Sequence, residues 1–193
     1  MMLRNWWYTY RGALTPQECV KVVKIGMESG LSPATVGHGS SNYVDPNVRH
    51  SLTAFIPRTN MELMPIFHKL HLIGHEANAA GFGFDLQSFG GAQFTVYQAP
   101  GQHYRKHIDL NWKPDPLKAR SFDRKMSMVV QLSPPETYEG GKLLLENDPL
   151  PEGRFHDIGD AVFFPAFNPH EVTPVTAGIR YSLVAWFEGP PFR

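Results

Sequence analysis

The apolar positions along this chain change their period once. Before about residue 80 two stretches carry them at helical spacing; from Gly81 onward they fall into short runs broken by turn residues. Thr15-Pro16-Gln17-Glu18 reads as a helix start, with Thr15 as N-cap, Pro16 at the first helical position and Glu18 completing a capping box. That helix is expected to run to about Gly30 with Cys19, Val22, Val23 and Met27 on one face. Thr59-Asn60-Met61-Glu62 reads as a second capping box, ahead of Met64, Phe67, Leu70, Leu72 and Ile73 at helical spacing. Residues 3–14 suit an edge strand, 31–47 a loop and 51–56 a strand.

The runs after Gly81 predict strands at 84–88, 92–97, 104–110, 126–132, 142–145, 161–165, 171–176 and 179–187. Eight short strands at roughly even spacing suggest a sandwich or jelly roll, and two capped helices ahead of them give an α+β, mainly β, protein rather than βαβ units. Composition agrees. The 193 residues include 17 Gly, 17 Pro and 13 Phe, enough for many turns and an aromatic core. No repeat or linker divides the chain, so one domain is expected over 1–193, with helical support to about 85 and the β core over about 86–190. Lys+Arg and Asp+Glu both number 18; a general nucleic-acid binder is more often basic. One cysteine excludes an intrachain disulfide, and neither a signal peptide nor an apolar run of about 18 residues is present, so a cytoplasmic protein without a membrane span is expected.

Candidate chemistry begins at His107-Ile108-Asp109. On an extended strand, residues i and i+2 share a face, so imidazole and carboxylate can meet one metal ion. Composition alone supplies such a pair about 0.4 times in a chain like this. The partners downstream add weight. His170 follows an apolar run and a Pro-rich turn, and would complete a two-His, one-carboxylate set of the kind that binds Fe(II) with positions left open. Arg180 lies in Gly178–Phe187, a segment apolar on both faces. A buried arginine needs an anion, either an internal Asp or Glu or a ligand carboxylate gripped by the planar guanidinium. His71 and His75, four apart on the second helix, could share a metal but read better as polar-face histidines. Stretch 105–125 holds seven basic residues, and 111–125 reads as a loop able to cover the site.

These pieces together resemble the prolyl 4-hydroxylase branch of the 2-oxoglutarate/Fe(II)-dependent dioxygenases. The resemblance rests on Tyr97-x-x-x-Gly101-x-x-Tyr104-x-x-His107-x-Asp109, Tyr138-Glu139-Gly140-Gly141-Lys142-Leu143, Gly159-Asp160-Ala161-Val162-Phe163-Phe164, His170-Glu171-Val172-x-Pro174-Val175 and Arg180-Tyr181-Ser182-Leu183-x-x-Trp186, over about residues 90–188. It implies a double-stranded β-helix (jelly roll, cupin-like) with two supporting N-terminal helices. It implies that His107, Asp109 and His170 bind Fe(II), that Arg180 holds the distal carboxylate of 2-oxoglutarate, and that Tyr97 lines the co-substrate pocket. Many relatives carry a tyrosine on the central strand beside that carboxylate; the matching position here is Gln131, whose amide can donate the same bond. The implied reaction uses O2, with ascorbate as a reductant, and hydroxylates an unactivated C–H of a prolyl residue in a peptide or protein, releasing succinate and CO2. A hydroxylase of a free amino acid or other small molecule uses the same scaffold. A nucleic-acid dealkylase would carry a second arginine six residues after Arg180, where this chain has Trp186.

Overall fold

The computed structural model describes residues 3–37, 42–110 and 122–192. Its elements are β1 (Tyr8–Tyr10), α1 (Pro16–Glu28), β2 (Ser32–Pro33), β3 (Arg49–His50), β4 (Leu52–Pro57), α2 (Met64–Gly81), β5 (Ser88–Gln98), β6 (His103–His107), β7 (Asp123–Gln131), β8 (Tyr138–Gly140), β9 (Leu143–Leu145), β10 (Ala161–Pro165), β11 (His170–Val172) and β12 (Val175–Gly189). The major sheet has the order β1-β10-β7-β12-β5-β4-β2, with β8 joined to the start of β12; the minor sheet is β3-β6-β11-β9. All pairings are antiparallel. The architecture is the expected double-stranded β-helix with two helices laid on one side.

Alternation along the central strands explains the three layers. On β7, Met126, Met128 and Val130 face the helices; on β12 Leu183, Ala185 and Phe187 do the same, and Phe94 joins them from β5. Cys19, Val22 and Ile25 of α1, with Ile66, Phe67, Leu70 and Ile73 of α2, complete that core. The opposite face packs on the minor sheet through Tyr97, Val129, Leu143, Leu145, Val162, Phe164 and Val172. The central strands therefore read as apolar throughout because both their faces are covered.

The helices dock closely. A Cβ on Gly26 would meet the Phe94 ring at 2.3 Å, and one on Gly74 would meet Phe187 Cζ at 2.1 Å. The Thr15 box forms as expected: Glu18 N–H donates to Thr15 Oγ1 at 3.2 Å and Thr15 N–H to Glu18 Oε2 at 2.7 Å. Lys69 of α2 pairs with the same carboxylate at 2.9 Å.

Four expectations need correction. The second capping box is absent; α2 starts at Met64 after a turn in which Asn60 Oδ1 accepts Leu63 N–H at 3.0 Å. A helix begun at Thr59 would put Pro65 in its interior, where the missing N–H and ring clash break the ladder. On α1 the buried face is Cys19, Val22, Ile25 and Gly26, and Met27 is 48% exposed. In the 84–88 run only Ser88 belongs to a strand, although Gln87 N–H already donates to Glu188 O at 2.8 Å; Asn78 holds its start, with Asn78 Nδ2–H donating to Phe84 O and Phe84 N–H to Asn78 Oδ1, both at 2.9 Å. The 31–47 loop contains β2 and a Val36–Tyr43 bridge. Residues 111–121 of the covering-loop expectation lie outside the described residues.

Candidate active site

The site sits between the sheets, and backbone pairing assembles it. His107 ends β6 and His170 opens β11, and the two are direct cross-strand partners. Asp109 lies just past the end of β6, so the strand does not carry both ligands as the spacing suggested. Instead Asp109 N–H and Leu110 N–H both donate to Ala166 O, at 2.9 and 3.0 Å, and fold the carboxylate back toward the histidines. His107 Nε2 is 3.8 Å from Asp109 Oδ1, and His170 Nε2 is 3.6 Å from Asp109 Oδ2. Among the described residues this is the one group of three or more His, Cys, Asp or Glu side chains whose ligand atoms come close enough to hold a metal ion, all lying within 4.8 Å of one another.

The surroundings fix these groups in a form that can bind a metal ion. His107 Nδ1 lies 2.8 Å from Arg105 O, and His170 Nδ1 lies 3.0 Å from Asn168 O. A carbonyl only accepts, so each Nδ1 carries the proton and each Nε2 lone pair is free for a metal. Ser127 Oγ–H donates to Asp109 Oδ2 at 2.6 Å and orients the carboxylate. Burial pushes the His107 imidazolium pKa down, helped by the neighbouring His170, to about 3. Burial works the other way on Asp109, but His170, His107, Arg124 and the Ser127 hydrogen bond outweigh it and hold the carboxyl at about 2. At neutral pH the group is thus a carboxylate beside an unprotonated His107. Tyr104 stacks on His107, with centroids 3.5 Å apart and planes at 16°, and Phe164 packs against His170 at 4.7 Å.

A cavity of about 460 Å³ opens over the three ligands. Arg180 projects into its wall from β12, opposite Tyr97 in the β5–β12 ladder and only 2% exposed. Its guanidinium carbon lies 5.8 Å from the Tyr97 ring centre. Among the described residues no carboxylate lies within ion-pair distance of Arg180. Of the two partners the sequence allowed, an internal acid and a ligand carboxylate, the described structure offers no acid. Gln131 lies on the same inward face, two positions along from Arg180's row, and its amide oxygen is buried without a hydrogen-bond partner. An oriented set of N and O donors, an unpaired arginine and an orphaned amide fit a divalent metal with a dicarboxylate beside it.

His71 and His75 stand elsewhere. Their rings are 4.5 Å apart on α2, packed against Phe187. The sequence reading missed Ser127 and Arg49, and counted Arg124 only among the basic residues of 105–125. Ser127 did leave a signal, since it and Gln131 are polar positions four apart, hence on one face, within the otherwise apolar run 126–132. Arg49 left none. It comes from β3, reaches over the Tyr104 ring at 4.5 Å, and donates to Thr35 O at 3.2 Å. Arg124 covers Trp186 at 3.8 Å.

Comparison with known proteins agrees with this geometry. A PKHD-type hydroxylase of Pseudoalteromonas atlantica (strain T6c / ATCC BAA-1087) is 33% identical over 96 residues, which cover 50% of this chain and 42% of the relative. The match thus spans less than half the length of that curated relative. Two solved structures share the fold: a Pseudomonas putida prolyl-4-hydroxylase (TM-score 0.69, 24% identity, 96% of this chain and 94% of the other) and a prolyl hydroxylase in complex with a hypoxia inducible factor oxygen degradation domain peptide fragment from Trichoplax adhaerens (TM-score 0.69, 20% identity, 95% and 83%). The family model described as the 2OG-Fe(II) oxygenase superfamily matches residues 92–188, just over half of the chain, and that span contains His107, Asp109, His170 and Arg180: the chain belongs to the 2OG-Fe(II) oxygenase superfamily.

Proposed function

We propose that this protein is a 2-oxoglutarate- and Fe(II)-dependent oxygenase that hydroxylates an unactivated C–H of a prolyl residue in a peptide or protein. The observation that carries the reading is that a three-residue His/Asp/His cluster and a buried arginine with no acidic partner among the described residues line one cavity. His107, Asp109 and His170 would hold Fe(II); Arg180 would grip the distal carboxylate of 2-oxoglutarate, with Gln131 beside it and Tyr97 against the chain of the keto acid. The iron and keto acid supply the oxidising chemistry with O2 and release succinate and CO2, with ascorbate as an auxiliary reductant. The protein's own part is geometric. Each Nδ1–H···O=C bond keeps an Nε2 lone pair aimed inward, Ser127 stops Asp109 from turning away, and apolar Val129, Val172 and Leu143 keep water from the reacting carbon.

The shape of the cavity supports a peptide. Its lining leaves the ligands along β12 and β5 and reaches Gly90, Gly91 and Phe55 at the β4 side of the sheet, where Phe55 is 59% exposed. The test is to incubate the Fe(II)-loaded protein with 2-oxoglutarate and either a proline-rich peptide or free proline. Succinate and a product heavier by one oxygen are expected with the peptide. Product from free proline alone would select the small-molecule hydroxylase instead, and absence of both metal binding and succinate would remove the oxygenase reading.

A further inference from the structure

Gln131 and Tyr138 form a pair that the chemistry above leaves unexplained. Gln131 is 2% exposed and faces inward from β7, opposite Ser182 and one inward position from Arg180. Its amide nitrogen reaches the Tyr138 hydroxyl, while its amide oxygen is buried and unpartnered. Tyr138 opens β8 and pairs with Gly178 at the start of β12. With Gln131, Gly141 and Arg180 it lines a second cavity, of about 560 Å³. Gly141 makes this closeness possible: a Cβ there would stand 2.9 Å from Arg180 Cδ and 3.7 Å from Tyr138 Cε2.

A buried amide with one end satisfied and the other orphaned costs about 1–3 kcal/mol unless a ligand completes it. The two ends of a glutamine amide exchange by a half-turn of its terminal bond, and hydrogen bonding decides which is where. Turned, the carbonyl accepts the Tyr138 O–H and the NH2 takes the orphan's place on the face Arg180 shares. An NH2 and a guanidinium are donors only, so one carboxylate satisfies both. We infer that Tyr138 is a positioning residue for the co-substrate: it holds the Gln131 amide with its NH2 toward the distal carboxylate that Arg180 grips. The inference rests on the 2-oxoglutarate reading above, and it assigns to a residue of β8 a task for which the sequence offered only Gln131.

The experiment measures binding rather than turnover. Protein loaded with Mn(II) is titrated calorimetrically with 2-oxoglutarate and with pyruvate, which has the same chelating 2-oxo acid end but no distal carboxylate. Tyr138→Phe removes one hydroxyl and should weaken 2-oxoglutarate about tenfold, one charge-assisted hydrogen bond's worth, while leaving pyruvate within about twofold. Gln131→Leu should do the same, and the double variant should be no weaker than Gln131→Leu alone, because Tyr138 acts through the amide. An unchanged 2-oxoglutarate affinity in Tyr138→Phe, or equal losses for both acids, overturns the role of Tyr138 and leaves the oxygenase reading intact. Failure of the wild-type protein to bind 2-oxoglutarate removes both.

Discussion

His107 shows how far the fold alone sets the protonation state of a side chain. Burial and His170 press its pKa to about 3 from an ordinary 6.5, so the folded protein keeps it neutral where an unfolded chain would protonate it. Between about pH 6.5 and 3 the unfolded state therefore binds a proton that the folded state refuses, and stability falls as pH falls. The metal-free protein is expected to melt at a lower temperature at pH 5 than at pH 7, with a smaller drop in His107→Ala. His71, also pushed down by burial and by His75, is present in both proteins and cancels in the comparison. Thermal melts that fall equally in the two proteins would contradict the assignment. At this scale the sequence was informative about which three side chains cluster and nearly silent about what holds them. His107, Asp109 and His170 stood out by type and spacing, whereas Arg49 and the Tyr104 ring it covers come together only through the β3–β6 ladder.

Among the elements, α2 against β12 carries the tightest constraint. Gly74 faces Phe187, which is fully buried and stacked on Phe89 with centroids 5.1 Å apart. The ring has no room to retreat, so Gly74→Ala should destabilise the protein by about 1–3 kcal/mol despite alanine's better helix propensity. Chemical denaturation would measure it, and a stabilised variant would show that the helix shifts freely. The sequence marked α1 well, because Thr15, Pro16 and Glu18 act within one turn. It misjudged the start of α2 because Thr59 and Glu62 imitate the same box while Pro65, further on, decides the boundary. Strand positions followed from apolar runs, but the end of β6 depends on hydrogen bonds accepted by Ala166 O and the 84–88 run on those made with the Asn78 side chain, which sequence spacing does not encode.

For the molecule as a whole, ligand binding should be visible as stability. If Fe(II) and 2-oxoglutarate share the cavity as neighbours, the two should stabilise the protein together more than separately. At a hundred times its dissociation constant a ligand contributes about 2.7 kcal/mol, which for a chain of this size shifts the melting temperature by roughly 5–10 °C. Anaerobic melts with iron alone, keto acid alone and both are expected to show the full shift only with both. Equal shifts with the keto acid alone would mean that it binds away from the metal. Net charge and composition excluded little beyond a generally basic nucleic-acid binder. The layered arrangement was legible because both faces of the central strands are apolar, and the extent of the cavity toward Phe55 was not, since it arises from where β4 meets β5.

Strand β12 sends Arg180, Ser182 and Val184 to one side and Leu183, Ala185 and Phe187 to the other. A slip of one residue would turn Arg180 into the helical core and Leu183 toward the cavity, ruining the packing and the cavity lining together. The arrangement acts as an error check during folding. A molecule with this strand misplaced lacks the apolar contacts that keep it folded, so the molecules that survive are those whose arginine already points at the site.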